Sequence, residues 1–320
     1  MRKAVCFVSG IVFLVTAVLS ASMEDPVRLN RTLSGHDSIV NTISISPDGR
    51  FLASGSTDNT LRLWDLQRGR SVTLSGHSNW VLAVTFTPDG SKIISGSADN
   101  TIKIWELQTG KCVNTLEGHR NWVQAVAVTP DGKWLVSGSS DYSIRVWDLS
   151  TGEQVRSIGM GDSTIVSLVI SPDAELVYTS SMVVRAWDFE TGELVQVLDG
   201  HNGRIESIAV SPDGYYLVSG AGDNIVILWD ARSGDVVHEL QGHAGVVNSV
   251  AISPDSQYIV SGSSDKTFKI WNMQEGTLIR TISAHSYPVS SVLFSPGGDY
   301  IASGSNDRTI KIWEVVVQGK

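Results

Sequence analysis

The sequence predicts an all-β fold of seven stacked units, each a four-stranded antiparallel sheet. Three observations carry that expectation. Trp64, Trp105, Trp147, Trp187, Trp229, Trp271 and Trp313 recur at steps of 41, 42, 40, 42, 42 and 42 residues. Six of them close nearly the same phrase, from SGSTDNTLRLW at 54–64 to SGSNDRTIKIW at 303–313. A Gly-His pair precedes most of them, at Gly35-His36, Gly76-His77, Gly118-His119, Gly200-His201 and Gly242-His243, with Ala284-His285 as a variant. Self-similarity at this period marks an architecture that stacks one supersecondary unit many times.

Within a unit the strands follow in order. After the His, apolar residues alternate, as in Val84/Phe86, Val126/Val128, Ile208/Val210 and Val250/Ile252, which is the period of a half-buried strand. A turn such as SPDG at 46–49 or TPDG at 87–90 reverses the chain into a second strand such as LVSG at 135–138. An Asp-containing turn reverses it again into a third strand that ends on the Trp. A Thr-Gly or Ser-Gly turn, at Thr109-Gly110, Thr151-Gly152, Thr191-Gly192 and Ser233-Gly234, opens the fourth. Four strands cannot bury both faces alone, so neighbouring units must cover them.

The Gly-His pair, the Asp six residues before the Trp, and the Trp-Asp of Trp64-Asp65, Trp147-Asp148, Trp187-Asp188 and Trp229-Asp230 resemble the WD-repeat (WD40) β-propeller family, with the G-protein β-subunit-like propellers among its members. Glu106, Asn272 and Glu314 depart from that dipeptide. The resemblance implies a seven-bladed β-propeller over 27–317. It also implies ring closure: little follows Trp313, and residues 27–33 resemble a fourth strand, so an N-terminal strand should complete the last blade.

Net charge is −9, and no basic run of five residues occurs, which argues against nucleic-acid binding. Residues 1–22 read as a secretory signal peptide: basic Arg2 and Lys3, an apolar run from Ala4 to Leu19, then small residues. As a helix that run would span about 24 Å, short of the roughly 30 Å hydrocarbon core. The expected location is therefore periplasmic or extracellular, and a membrane anchor through residues 4–21 is the alternative. Regular repeats and short turns resemble bacterial members of the family. Cys6 would leave with the signal, so Cys112 stands alone and no internal disulfide is expected.

A recurring His, Ser and Asp invites comparison with a hydrolase triad. A triad is needed once, however, whereas this trio recurs in six units. The family resemblance implies instead a buried hydrogen-bonded network of His36/Asp58/Trp64, His77/Asp99/Trp105, His119/Asp141/Trp147, His201/Asp223/Trp229, His243/Asp265/Trp271 and His285/Asp307/Trp313, joined by a Ser of each phrase. Which Ser is used stays open. Unit four lacks the pattern: Met160-Gly161 stands for Gly-His, and the turn before Trp187 is two residues short and has no Asp. His238, aligned with Asn114, Arg156 and Arg280, reads as a solvated outer-strand residue.

No Gly-x-Ser-x-Gly elbow, P-loop or His-Glu-x-x-His occurs. Neither a catalytic residue, a metal nor a cofactor is expected. By resemblance, partners dock on the face bearing the Gly-His loops, which maps to Ile39, Asn41, Trp80, Leu82, Trp122, Gln124, Arg204 and Glu206 among others. Trp80 and Trp122 occupy the same position in adjacent units, and aromatic side chains are typical interface anchors. The reading is a monomeric, non-catalytic scaffold for a protein or peptide. Its alternatives are a propeller hydrolase or lyase with a site in the central channel, and a membrane-anchored organiser of a complex.

Overall fold

The computed structural model describes residues 27–159 and 163–315, and their strands form seven four-stranded antiparallel sheets. Residues 1–22, Met160-Gly161 and the last five residues, all drawn on above, lie outside that range. Strands are numbered β1 to β28 in chain order, beginning with β1 (Val27–Ser34). Blade one runs β2 (Val40–Ile45), β3 (Phe51–Ser56), β4 (Thr60–Asp65) and β5 (Arg70–Ser75) from channel to rim. Blades two and three repeat this with β6 to β13 over 81–159. Blade four is β14 (Ser167–Ile170), β15 (Leu176–Ser180), β16 (Val184–Asp188) and β17 (Leu194–Leu198), and blades five and six use β18 to β25 over 205–283. Blade seven is β26 (Val289–Phe294), β27 (Tyr300–Ser305), β28 (Thr309–Val315) and then β1, which pairs antiparallel with β28 from Val27↔Val315 to Ser34↔Thr309. The N-terminal strand therefore closes the ring.

The core lies between blades and not within any one of them. A typical cluster joins Ala53, Leu61, Leu63 and Leu74 of blade one to Val81, Val84, Phe86, Ile93 and Trp105 of blade two. At each such seam one residue of the Ser-Gly-Ser phrase matters for its lack of a side chain. A Cβ on Gly55 would lie 2.6 Å from Val81 Cγ1, one on Gly96 2.7 Å from Val123 Cγ1, and one on Gly262 2.7 Å from Val289 Cγ1. In five blades the valine that opens the inner strand is seated on the preceding blade's glycine, and in blade four Ile165, just before β14, meets Gly138 in the same way. Blade four has Ser180 at this position, and the hydroxyl is accommodated by donating to the Ile205 carbonyl of blade five at 3.3 Å.

Both irregular steps in the tryptophan spacing have a structural cause. The outer strands of blades two to seven carry a β-bulge, where register skips one residue: Val113, Val155, Val195, Val237, Ile279 and Asn30. The outer strand β5 of blade one has none, with Thr60↔Ser75 through Asp65↔Arg70 in unbroken register. Its missing residue is the step of 41. The step of 40 comes from the turn between β15 and β16, where Ser181 N donates directly to the Val183 carbonyl at 3.1 Å.

The outer strands also clasp the next blade. His238 Nε2 bonds the Gln274 carbonyl at 3.0 Å, in the place where Arg31 Nη1 donates to the Leu66 carbonyl at 2.7 Å and Arg156 reaches the Glu190 carbonyl. His238 is thus half-buried in a seam, which corrects its reading as a solvated side chain. The contact is invisible in the sequence because its partner is a backbone carbonyl on a different blade.

Candidate functional site

The repeated network is assembled where four elements meet. In blade three, His119 comes from the loop before the inner strand, Ser137 from the second strand, Asp141 from the next turn and Trp147 from the third strand. Trp147 Nε1 donates to Ser137 Oγ at 2.8 Å, His119 Nε2 lies 2.8 Å from the same oxygen, and His119 Nδ1 lies 2.9 Å from Asp141 Oδ2. The set is consistent with one proton order: indole N–H to serine, serine O–H to Nε2, and Nδ1–H to carboxylate. Asp141 also accepts from the backbone N of Arg120 at 2.8 Å and of Ser143 at 3.0 Å, so one carboxylate ties the loop to the turn.

The same contacts recur around His36, His77, His201, His243 and His285, with Nε2 to the first serine of each phrase at 2.7 to 2.8 Å. Those serines, Ser54, Ser95, Ser137, Ser219, Ser261 and Ser303, are 0% exposed. The connectivity matches a hydrolytic triad, but no substrate reaches a serine that is sealed from solvent and already holds an indole N–H. The second serine has a separate job: Ser97, Ser139 and Ser263 Oγ accept the backbone N of the turn Asp at 3.0 to 3.1 Å. In blade four Thr179 Oγ1 takes the indole N–H of Trp187 at 2.9 Å.

Electrostatics follow from this burial. Burial holds the imidazoles of His36, His119, His243 and His285 below their ordinary value, against the opposing pull of Asp58, Asp141, Asp265 and Asp307. For Asp265 burial raises the carboxyl, but hydrogen bonds from Thr267, His243 and the Ala244 backbone overcome it and push it down to about 2. A neutral imidazole on an ionised carboxylate is the resulting state. Among the described residues no group of three His, Cys, Asp or Glu side chains converges as a metal cage.

The face carrying these loops offers different chemistry. Trp80 and Trp122 are 43% and 40% exposed, and their rings meet at 5.7 Å between centroids with a 56° tilt. Each is held by the preceding asparagine, since Trp80 N donates to Asn79 Oδ1 and Trp122 N to Asn121 Oδ1. Ile39 and Leu82 are only partly exposed. Tyr142 and Met182 are also exposed, at 41% and 59%, in the turns between the second and third strands of blades three and four. Neither was singled out from sequence, although Tyr142 directly follows the turn Asp141 and Met182 sits in the shortened turn of blade four.

A cavity of about 200 Å³ opens into the channel. Its upper ring takes one residue per blade: Asn41, Leu82, Gln124, Val166, Glu206, Asn248 and Ser290. Several are already engaged: Asn41 Nδ2 donates to the Val81 carbonyl, Asn248 Nδ2 to the Val289 carbonyl, and Gln124 Nε2 to Ser140 Oγ. Glu206, the charged member, is capped by Arg204 through two bonds of 2.9 and 2.8 Å. The ring therefore supplies fixed amides and hydroxyls, with one neutralised carboxylate.

Comparison with known proteins agrees with this geometry. The family model described as "WD domain, G-beta repeat" matches residues 27–65, 69–106, 110–148, 192–230, 234–272 and 276–314. The gap between 148 and 192 is blade four, which lacks the trio. The "small ribosomal subunit protein RACK1" of Dictyostelium discoideum is 52% identical over 46 residues, 14% of this chain and 14% of that protein. Its Glycine max counterpart is 49% identical over 43 residues, 13% of each. The "ribosome biogenesis protein ERB1" of Debaryomyces hansenii is 45% identical over 47 residues, 15% of this chain and 6% of that protein. The matched segment thus covers at most about a seventh of each of these three relatives, roughly one blade.

Proposed function

The chain belongs to the WD40 family, and from that premise we propose that it is a non-catalytic scaffold binding a protein or peptide on the Gly-His loop face. The observation that carries this reading is the Trp80–Trp122 pair, whose tilted rings touch and yet stay 43% and 40% exposed on that face. Large aromatic side chains are seldom left in water without a use. In this reading Ile39 and Leu82 widen the patch, while Asn41, Gln124 and the Arg204–Glu206 pair supply polar contacts around it. An interface of ordinary size, ~1,600 Å² in total, fits a face of this kind. The ribosomal work in the relatives' names rests on one shared repeat and is not extended to this chain. An enzymatic channel is disfavoured because Asn41 and Asn248 already bond neighbouring carbonyls and Gln124 the Ser140 hydroxyl.

The test is the double variant Trp80→Ala/Trp122→Ala, compared with wild type for partner capture from the native host and for thermal stability. Lost capture at unchanged stability supports the reading. Lost folding assigns the pair to the core instead. We also propose that residues 1–22 direct export, which mass spectrometry of the mature N-terminus tests: an intact Met1 on the purified host protein refutes cleavage.

A further inference from the structure

We propose that the rim of blade one is a second docking site, where β5 accepts an extended peptide strand whose C-terminal end is acidic. Sheet edges offer unpaired N–H and C=O groups to any strand that can align with them, and proteins commonly blunt such edges with bulges. Six of the seven blades do so here, at Val113, Val155, Val195, Val237, Ile279 and Asn30. β5 does not. Its six residues stay in continuous register with β4, and Ser71, Val72, Thr73 and Ser75 are all exposed, Val72 to 57%. The result is a straight template about 20 Å long.

The side chains specify the occupant. Ser71, Thr73 and Ser75 alternate with exposed Val72 and buried Leu74, so a paired strand would set hydroxyl residues against the three hydroxyls and a β-branched residue against Val72. The incoming strand runs antiparallel, which places its C-terminal end beside Arg70. There Arg68 and Arg70 are exposed, and Arg31 Nη1 lies 3.8 Å from where a Gly69 Cβ would stand. This basic corner, on a chain of net charge −9, matches a carboxylate-bearing end. A second copy of the chain fits less well. Six paired residues bury far less than the ~1,200 Å² at which stable interfaces begin, whereas a short peptide needs little more than the main-chain bonds.

The experiment uses the full chain and a labelled peptide of alternating threonine and valine ending in two glutamates, followed by fluorescence anisotropy. Saturable binding with amide-exchange protection at residues 70–75 is expected. Inserting one valine between Ser71 and Val72 restores the bulge that the other blades tolerate, and should weaken binding at least about ten-fold. Arg70→Glu should do the same, and its effect should shrink in high salt. Trp80→Ala/Trp122→Ala should leave this binding intact, which separates the site from the loop face. Conversely, deleting Val113 should create a second straight edge and raise the stoichiometry from one peptide to two. Unchanged affinity in the insertion variant, no binding by wild type, or a dimer that the insertion abolishes would each overturn the proposal.

Discussion

Replacing Ser137 with alanine removes one oxygen atom and leaves the apolar packing of blade three untouched, so its effect isolates the hydrogen-bond network. That oxygen accepts from Trp147 Nε1 at 2.8 Å and lies 2.8 Å from His119 Nε2. Both partners are buried: Trp147 is 2% exposed and His119 7%. Deletion therefore strands one donor and one acceptor where water cannot replace the bond. At roughly 1–3 kcal/mol for each orphaned buried group, the loss should be about 2–6 kcal/mol. This is a large share of the ~5–15 kcal/mol that holds typical domains together. Ser150→Ala is the control, because that exposed hydroxyl serves only its local turn through Asp148, and its cost should stay within about 0.5 kcal/mol. Urea denaturation followed by tryptophan fluorescence measures both. If Ser137→Ala costs less than about 1 kcal/mol, the trio is not a cooperating unit and the reasoning fails.

Three other outcomes are expected. Gly262→Ala should destabilise by about 1–3 kcal/mol, since its Cβ would meet Val289 Cγ1 at 2.7 Å; thermal melting at wild-type temperature would show that the seam can yield. Lys266→Asn should stabilise by a few tenths to about 1 kcal/mol, because Lys266 sits at φ 73°, a region asparagine adopts more readily, as Asn59 and Asn100 do in the equivalent turns. Stability should fall as pH drops, in two stages. The depressed histidines leave the folded state with fewer protons than the unfolded one below the ordinary 6.5, so stability present at pH 7 is lost as pH falls through that value. The depressed carboxylates act with the same sign below their ordinary 3.8, as Asp265 shows. A urea midpoint that rises on acidification from pH 7 to 5 contradicts this assignment.

The seven-unit ring was legible because the residues that build it are chemically expensive to vary: a buried tryptophan, its histidine and a turn aspartate return at nearly constant spacing. Ring closure was legible too, since a strand was missing at one end and surplus at the other. The choice between two serines was not, because both are small hydroxyls two residues apart on the same face of one strand, and only their distance from the turn decides which meets the histidine and which caps the Asp backbone N. Nor was the meaning of the 41-residue step, since a bulge shows itself only in the pairing of strands. On the loop face the sequence placed Trp80 and Trp122 at matching positions in adjacent blades. Their ring contact depends on how loops of successive blades converge, which spacing along one chain does not encode.

Pairing β1 with β28 also sets a timetable for synthesis. Val27–Ser34 leaves the ribosome among the first of the propeller's strands, yet its partner Thr309–Val315 is made roughly 280 residues later. Until then one strand waits without a sheet, and blades one to six must rest on one another as an open crescent. Assembly of this wheel is therefore gated by its final clasp, and a nascent chain halted before residue 309 would expose adhesive borders at both tips of the crescent.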